Sequence, residues 1–218
     1  MTLAEQVVSQ SPASSVRVTD APDGLSEILR PDCAAVIWRR KSAPGFQSWI
    51  DALDPGQLPR ARVILRPSDV RDAAAQICES CGTPDCPERD MLIDDAAALA
   101  GIFASVMEAS YLKLRFDRIT NDACTKFHTD AVTARLICTY RGPGTQYGLV
   151  RGMAEPSRIS SVTTGSAMLL RGTLWPERPQ SGLSHRSPPI SGTKTTRLVL
   201  VLDPAADPES ANDPIILQ

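Results

Sequence analysis

Both histidines of this 218-residue chain stand where a mononuclear metal site could use them. His128 and Asp130 form a His-x-Asp tripeptide, and His185 follows after a long interval. Two imidazoles and one carboxylate can hold one face of an octahedral ion and leave the opposite face open, as in non-heme Fe(II) sites that react with O2. The sequence therefore predicts one metal site at His128, Asp130 and His185, and these ligands are also the predicted catalytic residues.

A downstream arginine extends this pattern. Arg197 lies twelve residues after His185, inside the strand-like run 195–202, and it shares a face of that strand with Val199 and Val201. A buried arginine is costly without a partner, and its planar guanidinium suits a carboxylate. Arg197 is therefore predicted to bind the carboxylate of a co-substrate. The alternative is that the even-numbered leucines of the run form the interior and Arg197 points to solvent.

Three of the six cysteines form a second cluster, at Cys78, Cys81 and Cys86. Thiolates spaced this closely can share a zinc ion, but a closed structural zinc site needs four ligands. The fourth ligand would have to be another cysteine, a carboxylate or a group from a partner molecule. We therefore predict a candidate second metal site that binds zinc, with reduced loop thiols as the alternative.

The elements that would position these residues change from helical to extended along the chain. Apolar residues at spacings of three and four predict a helix over 91–110, and a shorter helix is predicted over 70–78 after an amphipathic segment at 46–53. Strands are predicted at 33–38, 62–65, 111–117, 132–140, 159–163, 167–170 and 195–202. We predict an α+β fold whose core is a double-stranded β-helix, or jelly roll, with supporting N-terminal helices.

The strand over 132–140 makes a specific prediction about the metal ligands. If His128 and Asp130 enter it in register, they share a face with its mostly apolar even-numbered residues. The metal would then lie inside the barrel, near its mouth. Four further residues are candidates for contacts with the substrate or with the metal ligands: Arg135, Tyr140, Arg141 and Trp175.

Composition and charge narrow the functional classes. Hydrophobic residues make up 42% of the chain and charged residues 22%, which predicts one globular domain over 21–203, with the metal site in 111–203. We expect a disordered N-terminus over 1–20 and a mobile tail over 204–218. A net charge of -2 and 5% aromatic residues argue against nucleic acid and membranes as partners. Without a signal sequence or an apolar span, we expect a cytoplasmic protein.

Three segments carry a resemblance to known families: 124–130 (CTKFHTD), 138–145 (CTYRGPGT) and 185–189 (HRSPP). Over about 33–203 the chain resembles a bacterial family catalogued as domain of unknown function 1826, which implies a bacterial protein and supplies no catalytic residues. More distantly, residues 111–203 resemble the Fe(II)/2-oxoglutarate dioxygenase superfamily. That resemblance implies Fe(II) at His128, Asp130 and His185, with 2-oxoglutarate bound by the metal and Arg197. Members often have Arg-x-Ser at this arginine, whereas this chain has Val199.

The sequence thus predicts an Fe(II)/2-oxoglutarate-dependent oxygenase of the hydroxylase type, acting on a small molecule or a peptide. Two alternatives use similar ligands. One is a non-catalytic protein that binds or handles zinc or iron, and the other is a zinc-dependent hydrolase, because three protein ligands plus water also describe catalytic zinc.

Overall fold

The helices of this chain lie on one side of a large sheet. The computed structural model describes residues 11–122, 124–150 and 155–206, and these form a mixed α+β fold with three α-helices. The helices are α1 (Phe46–Ala52), α2 (Val70–Ser80) and α3 (Pro87–Met107). Short 3-10 segments lie at Pro22–Leu29, Pro55–Gln57 and Pro67–Asp69.

The described residues contain ten strands in two sheets. In chain order they are β1 (Ser15–Thr19), β2 (Cys33–Trp38), β3 (Ala61–Leu65), β4 (Tyr111–Ile119), β5 (Ala134–Arg141), β6 (Gln146–Leu149), β7 (Ser160–Ser161), β8 (Ala167–Arg171), β9 (Leu183–Arg186) and β10 (Arg197–Ala205). The seven-stranded sheet has the order β1-β2-β8-β5-β10-β4-β3 and is antiparallel except between β1 and β2. The three-stranded sheet has the order β7-β6-β9.

Helix α3 confirms the predicted helix over 91–110. Pro87 occupies its first turn, where a missing backbone N–H costs nothing. The carboxylates of Glu88 and Asp90 in the same turn interact favourably with the positive end of the helix dipole. Its buried side chains, spaced by three and four residues, pack on the large sheet; they include Leu92, Leu99 and Phe103. No helix within the described ranges combines the length and the apolar character needed to cross a membrane.

Strand β10 has two buried faces, because other elements cover the large sheet on both sides. Its even-numbered residues, such as Leu200, pack with the helices in the larger apolar cluster. Val199 and Val201 face the other way and belong to a second apolar cluster with β2 and β8. Arg197 starts the same odd-numbered face and is 1% exposed, so the alternative that it points to solvent is wrong.

The ends of the chain differ in part from expectation. Residues 1–20 were expected to be disordered, but Ser15–Thr19 form the edge strand β1, which pairs in parallel with β2. The reason is the alternation around Val16, whose side chain packs against the second apolar cluster while the backbone completes the sheet edge. Strand β10 likewise extends to Ala205, inside the expected mobile tail. Residues 1–10 and 207–218 lie outside the described residues.

Candidate metal centre

The two histidines meet across a pair of neighbouring strands. His185 lies on β9, which pairs with β6, and His128 adds to the other side of β9 through an isolated antiparallel bridge. The His128 backbone N–H donates to the His185 carbonyl at 3.0 Å, and the His185 N–H donates to the His128 carbonyl at 2.9 Å. Residues paired directly across strands project to the same side, so the ring centroids lie 4.7 Å apart.

Asp130 is positioned by a bend and not by the strand that follows it. Residues 131–133 are bent, and three backbone N–H groups of the segment 172–174 hold this bend. Thr173 donates to the carbonyl of Asp130 at 2.9 Å, Gly172 to that of Thr133 at 2.9 Å and Leu174 to that of Val132 at 3.1 Å. Gly172 is required by this close approach, because a Cβ there would meet the Val132 carbonyl oxygen at 1.9 Å.

The bend overturns the predicted register between the metal ligands and β5. The even-numbered residues of β5, such as Leu136, pack against the helices on the far side of the sheet. The pocket that holds His128 and Asp130 is instead lined by the odd-numbered residues Arg135 and Ile137. Alternation fails because the irregular backbone at 131–133 separates the ligands from the regular strand.

The three predicted ligands come together as one cluster. One ligand atom from each of His128, Asp130 and His185 lies within 4.8 Å of the others. Asp130 Oδ1 lies 3.5 Å from His128 Nε2, and Asp130 Oδ2 lies 3.1 Å from His185 Nε2. Within the described part of the chain, this is the only such group of three or more histidine, cysteine or acidic side chains.

The chemistry of this cluster fits a divalent metal ion. Burial alone would raise the pKa of Asp130, but polar contacts with His128 and His185 and the charge of Arg135 hold that pKa well below its usual range. The carboxylate is therefore ionised near neutral pH. Its Oδ2 atom is buried without a hydrogen-bond partner, which leaves an acceptor for a cation. An ion held by two nitrogens and one oxygen on one face is the arrangement suited to Fe(II).

Arg135 supports the carboxylate from behind. Its Nη1 lies 2.5 Å from Asp130 Oδ1, while Nε and Nη2 donate to the two carboxylate oxygens of Asp203 at 2.6 and 2.8 Å. Asp203 is the β10 residue that closes this network, and it is 4% exposed. The bidentate pair fixes the guanidinium, which in turn orients Asp130. The sequence named Arg135 as a candidate for contact with the substrate or the metal ligands, and it gave no role to Asp203.

Arg197 lies in the same pocket and is held there by hydrogen bonds. Its Nε donates to the Pro143 carbonyl at 2.7 Å, and its Nη1 donates to Ser187 Oγ at 2.9 Å. Among residues 11–122, 124–150 and 155–206, no carboxylate pairs with it. Burial lowers the pKa of Arg197 to about 10, so the side chain remains a cation at neutral pH. A buried, fixed and unneutralised guanidinium is a receptor for an anion.

The ligands and Arg197 line one pocket of about 410 Å³. Its apolar wall is Ile137, Val199 and Val201 from the large sheet. The histidine edge comes from β9 and the segment before the bend, so the pocket lies between the two sheets. A volume of this size suits a small ligand.

Other predicted residues lie elsewhere. Cys78, Cys81 and Cys86 do not gather as a metal-binding group, so the expected zinc at this cluster has no support. Cys78 is fully buried and burial raises its pKa to about 11. Tyr140 donates to Asp95 on the helical side of the sheet, away from the pocket. The remaining two candidates also serve packing: Arg141 donates to the Leu53 carbonyl and Trp175 lies against Arg171.

Comparison with known proteins identifies the family. A family model described as "Protein of unknown function (DUF1826)" matches residues 19–203. The chain belongs to the DUF1826 family. The matched range contains all three members of the histidine and aspartate cluster as well as Arg197. No curated protein sequence is significantly similar to this DUF1826 chain.

Solved structures share the fold at low sequence identity. The dioxygenase for auxin oxidation of rice has a TM-score of 0.51 and 12% identity, over 90% of the DUF1826 chain and 84% of its own. The dioxygenase for auxin oxidation 1 of Arabidopsis thaliana, in a binary complex with 2-oxoglutarate, has a TM-score of 0.53 and 8% identity. That alignment covers 90% of the DUF1826 chain and 94% of the Arabidopsis chain. At these identities the likeness shows a common fold.

Proposed function

We propose that this chain is an Fe(II)- and 2-oxoglutarate-dependent oxygenase of the hydroxylase type. One observation carries the proposal: His128, Asp130 and His185 converge in a pocket that also contains Arg197, a buried cation without a carboxylate partner among the described residues. The three ligands suit Fe(II), and the arginine suits the carboxylate of a 2-oxo acid. The fold shared with dioxygenases for auxin oxidation supports the same assignment.

We infer that the two sheets are the halves of a double-stranded β-helix. In this assignment β4, β10, β5 and β8 form the larger half, and they are consecutive in the large sheet. The segment at His128, β9, β6 and β7 form the smaller half, joined by the bridge between His128 and His185. The metal ligands then lie between the two halves, where a small barrel holds its ligands.

Each residue has a distinct part in this proposal. His128, Asp130 and His185 would hold Fe(II), and Arg135 keeps the Asp130 carboxylate ionised and oriented. Arg197 would fix the distal carboxylate of 2-oxoglutarate, while Ile137, Val199 and Val201 exclude water from the pocket. Bound iron would supply the activation of O2 that couples decarboxylation of 2-oxoglutarate to succinate with oxidation of a substrate.

We further propose a small molecule or a peptide as the substrate. A pocket of about 410 Å³ accommodates ligands of this class. A bacterial origin and a cytoplasmic location stay predictions from the sequence.

Metal stoichiometry in matched variants tests the proposal. The parent should bind one Fe(II) per chain under anaerobic equilibrium dialysis. His128→Ala and His185→Ala each remove one of three ligands and should abolish this binding, while Asp117→Ala is the control because Asp117 lines the pocket outside the cluster. Full stoichiometry in both histidine variants would overturn the metal site. Stable zinc binding without any affinity for 2-oxoglutarate would favour a zinc hydrolase or a metal-handling protein.

A further inference from the structure

The pocket around the metal ligands carries an excess of positive charge. Two carboxylates line it, Asp117 and Asp130, against six arginines: Arg60, Arg115, Arg118, Arg135, Arg186 and Arg197. The chain as a whole has a net charge of -2, so the excess is local. Loading the proposed site does not remove it, because the two positive charges of Fe(II) are matched by the two negative charges of 2-oxoglutarate. The excess is therefore available to a further ligand.

Three of the six arginines are already engaged by other residues or by the proposed co-substrate. Arg135 is held between Asp130 and Asp203, and Arg197 is the proposed partner of 2-oxoglutarate. Arg186 donates to Gln146 Oε1 at 2.8 Å and lies over the ring of Phe127, with 4.5 Å between guanidinium carbon and ring centroid. These contacts hold the Arg186 side chain in the wall of the pocket. Arg60, Arg115 and Arg118 remain.

The remaining three arginines lie together at one edge of the large sheet. Arg115 and Arg118 belong to β4, and Arg60 directly precedes β3, whose Ala61 pairs with Phe116 of β4. This register brings Arg60 alongside the end of β4, beside the two β4 arginines. We call Arg60, Arg115 and Arg118 the arginine edge.

The arginine edge has unsatisfied hydrogen-bonding capacity. Arg115 Nε is buried without a hydrogen-bond partner, while its Nη1 forms a long ion pair with Asp117 Oδ2 at 3.6 Å, beyond hydrogen-bond distance. Arg118 donates through Nη1 to the Pro55 carbonyl at 2.7 Å, which anchors the side chain by one of its five N–H groups. A buried donor without a partner is costly, so a ligand that supplies acceptors there would be favoured.

A second depression extends the pocket at this edge. It measures about 440 Å³ and shares Arg60, Arg118 and Ile119 with the metal pocket. Its other lining residues carry no acidic side chain: Pro55, Gly56, Thr120 and Asn121. A molecule that reaches the metal can therefore place a second part of its structure against the arginine edge.

We propose that the substrate is a small molecule with an anionic oxygen group, a phosphate ester or a carboxylate, and that Arg60, Arg115 and Arg118 bind this group. The proposal rests on the proposed function, because it names the substrate of that site. Guanidinium groups bind both kinds of oxyanion through paired charge-assisted hydrogen bonds. The arginine edge would hold the anionic end and present the opposite end of the molecule to the metal, which fixes the position of oxidation.

Calorimetric titration of phenyl phosphate, benzoate and neutral benzamide tests this proposal. The protein is loaded anaerobically with Fe(II) and saturated with 2-oxoglutarate, so that Arg197 is occupied. We expect at least one anion to bind and benzamide not to bind. Stronger binding of phenyl phosphate would identify a phosphate ester as the source of the anion, and stronger binding of benzoate would identify a carboxylate.

Two variants of the arginine edge are compared with a distant control. The double variant Arg60→Gln/Arg118→Gln, at one exposed and one half-buried position, should weaken binding of the anion at least about tenfold without unfolding the protein. Arg115→Gln should do the same, with folding checked by thermal melting. Arg71→Gln on α2 should change nothing, because Arg71 pairs with Asp94 outside the pocket.

The outcomes separate this proposal from the proposed function. If 2-oxoglutarate binds but neither anion does, the arginine edge is not an anion site and the oxygenase assignment stands. Equal binding of the anion by parent and double variant would also show that the arginine edge is not the anion site. Binding of the anion only in the absence of 2-oxoglutarate would show the same. If 2-oxoglutarate does not bind but an anion still depends on Arg60 and Arg118, the anion site stands and the proposed function is wrong.

Discussion

Replacement of Arg197 by leucine separates 2-oxoglutarate binding from metal binding. The side chain is 1% exposed, is held by Pro143 and Ser187, and has no carboxylate partner in the part of the chain that the structure describes. With a pKa of about 10 it is charged at pH 7. Leucine fits beside Val199 and Val201 on the same strand face, so the change removes the cation and keeps an apolar side chain.

The expected loss of affinity follows from the burial of this pair. Removing one partner of a desolvated, hydrogen-bonded charge pair costs about 2–5 kcal/mol. The dissociation constant for 2-oxoglutarate should therefore rise about thirtyfold at least, and up to a few thousandfold. Fe(II) affinity should change little, because Arg197 is not a metal ligand. The lost bonds to Pro143 and Ser187 affect stability, at about 1–3 kcal/mol for each buried acceptor left unpaired.

The assay is anaerobic calorimetry of 2-oxoglutarate with Fe(II)-loaded protein, after thermal melting has shown that the variant is folded. Arg141→Leu is the matched control. Arg141 pairs in register with Leu198, beside Arg197, but donates to the Leu53 carbonyl and does not line the pocket. Arg197 does not bind the co-substrate carboxylate if Arg197→Leu binds 2-oxoglutarate as the parent does, or if Arg141→Leu weakens binding equally.

Three further predictions concern the bend beside the metal ligands, the stability of the fold and the accessibility of two cysteines. Gly172→Ala should weaken Fe(II) binding at least about tenfold in equilibrium dialysis, because the new Cβ displaces the bend that carries the ligand aspartate. Gly101→Ala is the control, because a Cβ at Gly101 meets nothing within 4 Å. Arg171→Leu should lower the free energy of unfolding by at least about 3 kcal/mol in urea, because three backbone carbonyls lose their donor, while iron stoichiometry stays the same. In native protein, thiol reagents should modify exposed Cys124 quickly and Cys78 only after unfolding, since burial raises the pKa of Cys78 to about 11; equal rates would contradict the buried placement.

Local patterns predicted the regular elements well. The run 33–38 coincides with β2, and the helix over 91–110 lies within about four residues of α3. These elements satisfy their own hydrogen bonds or bury one continuous face, so short-range periodicity reports them. For His128 and His185, residue type and order predicted that both bind one metal ion, but not that they pair across neighbouring strands.

The parts that sequence reasoning missed depend on contacts between distant segments. The bend at 131–133 exists because residues 172–174 donate to it, and no local pattern reports such a contact. The two short strands β6 and β9 pair with each other across a long interval and were not among the predicted strands. The role of Asp203 depends in the same way on its contact with Arg135, sixty-eight positions earlier. The signal that could have found this pair is the odd-numbered polar position that each occupies in an otherwise apolar strand.

Anaerobic titration of 2-oxoglutarate into Fe(II)-loaded parent protein, followed by visible absorption, tests whether iron and 2-oxoglutarate bind together in this pocket. We expect a charge-transfer band that saturates at one 2-oxoglutarate per iron and is absent in His128→Ala and His185→Ala. A parent protein that holds one Fe(II) per chain and develops no such band at saturating 2-oxoglutarate would not be a 2-oxoglutarate-dependent oxygenase.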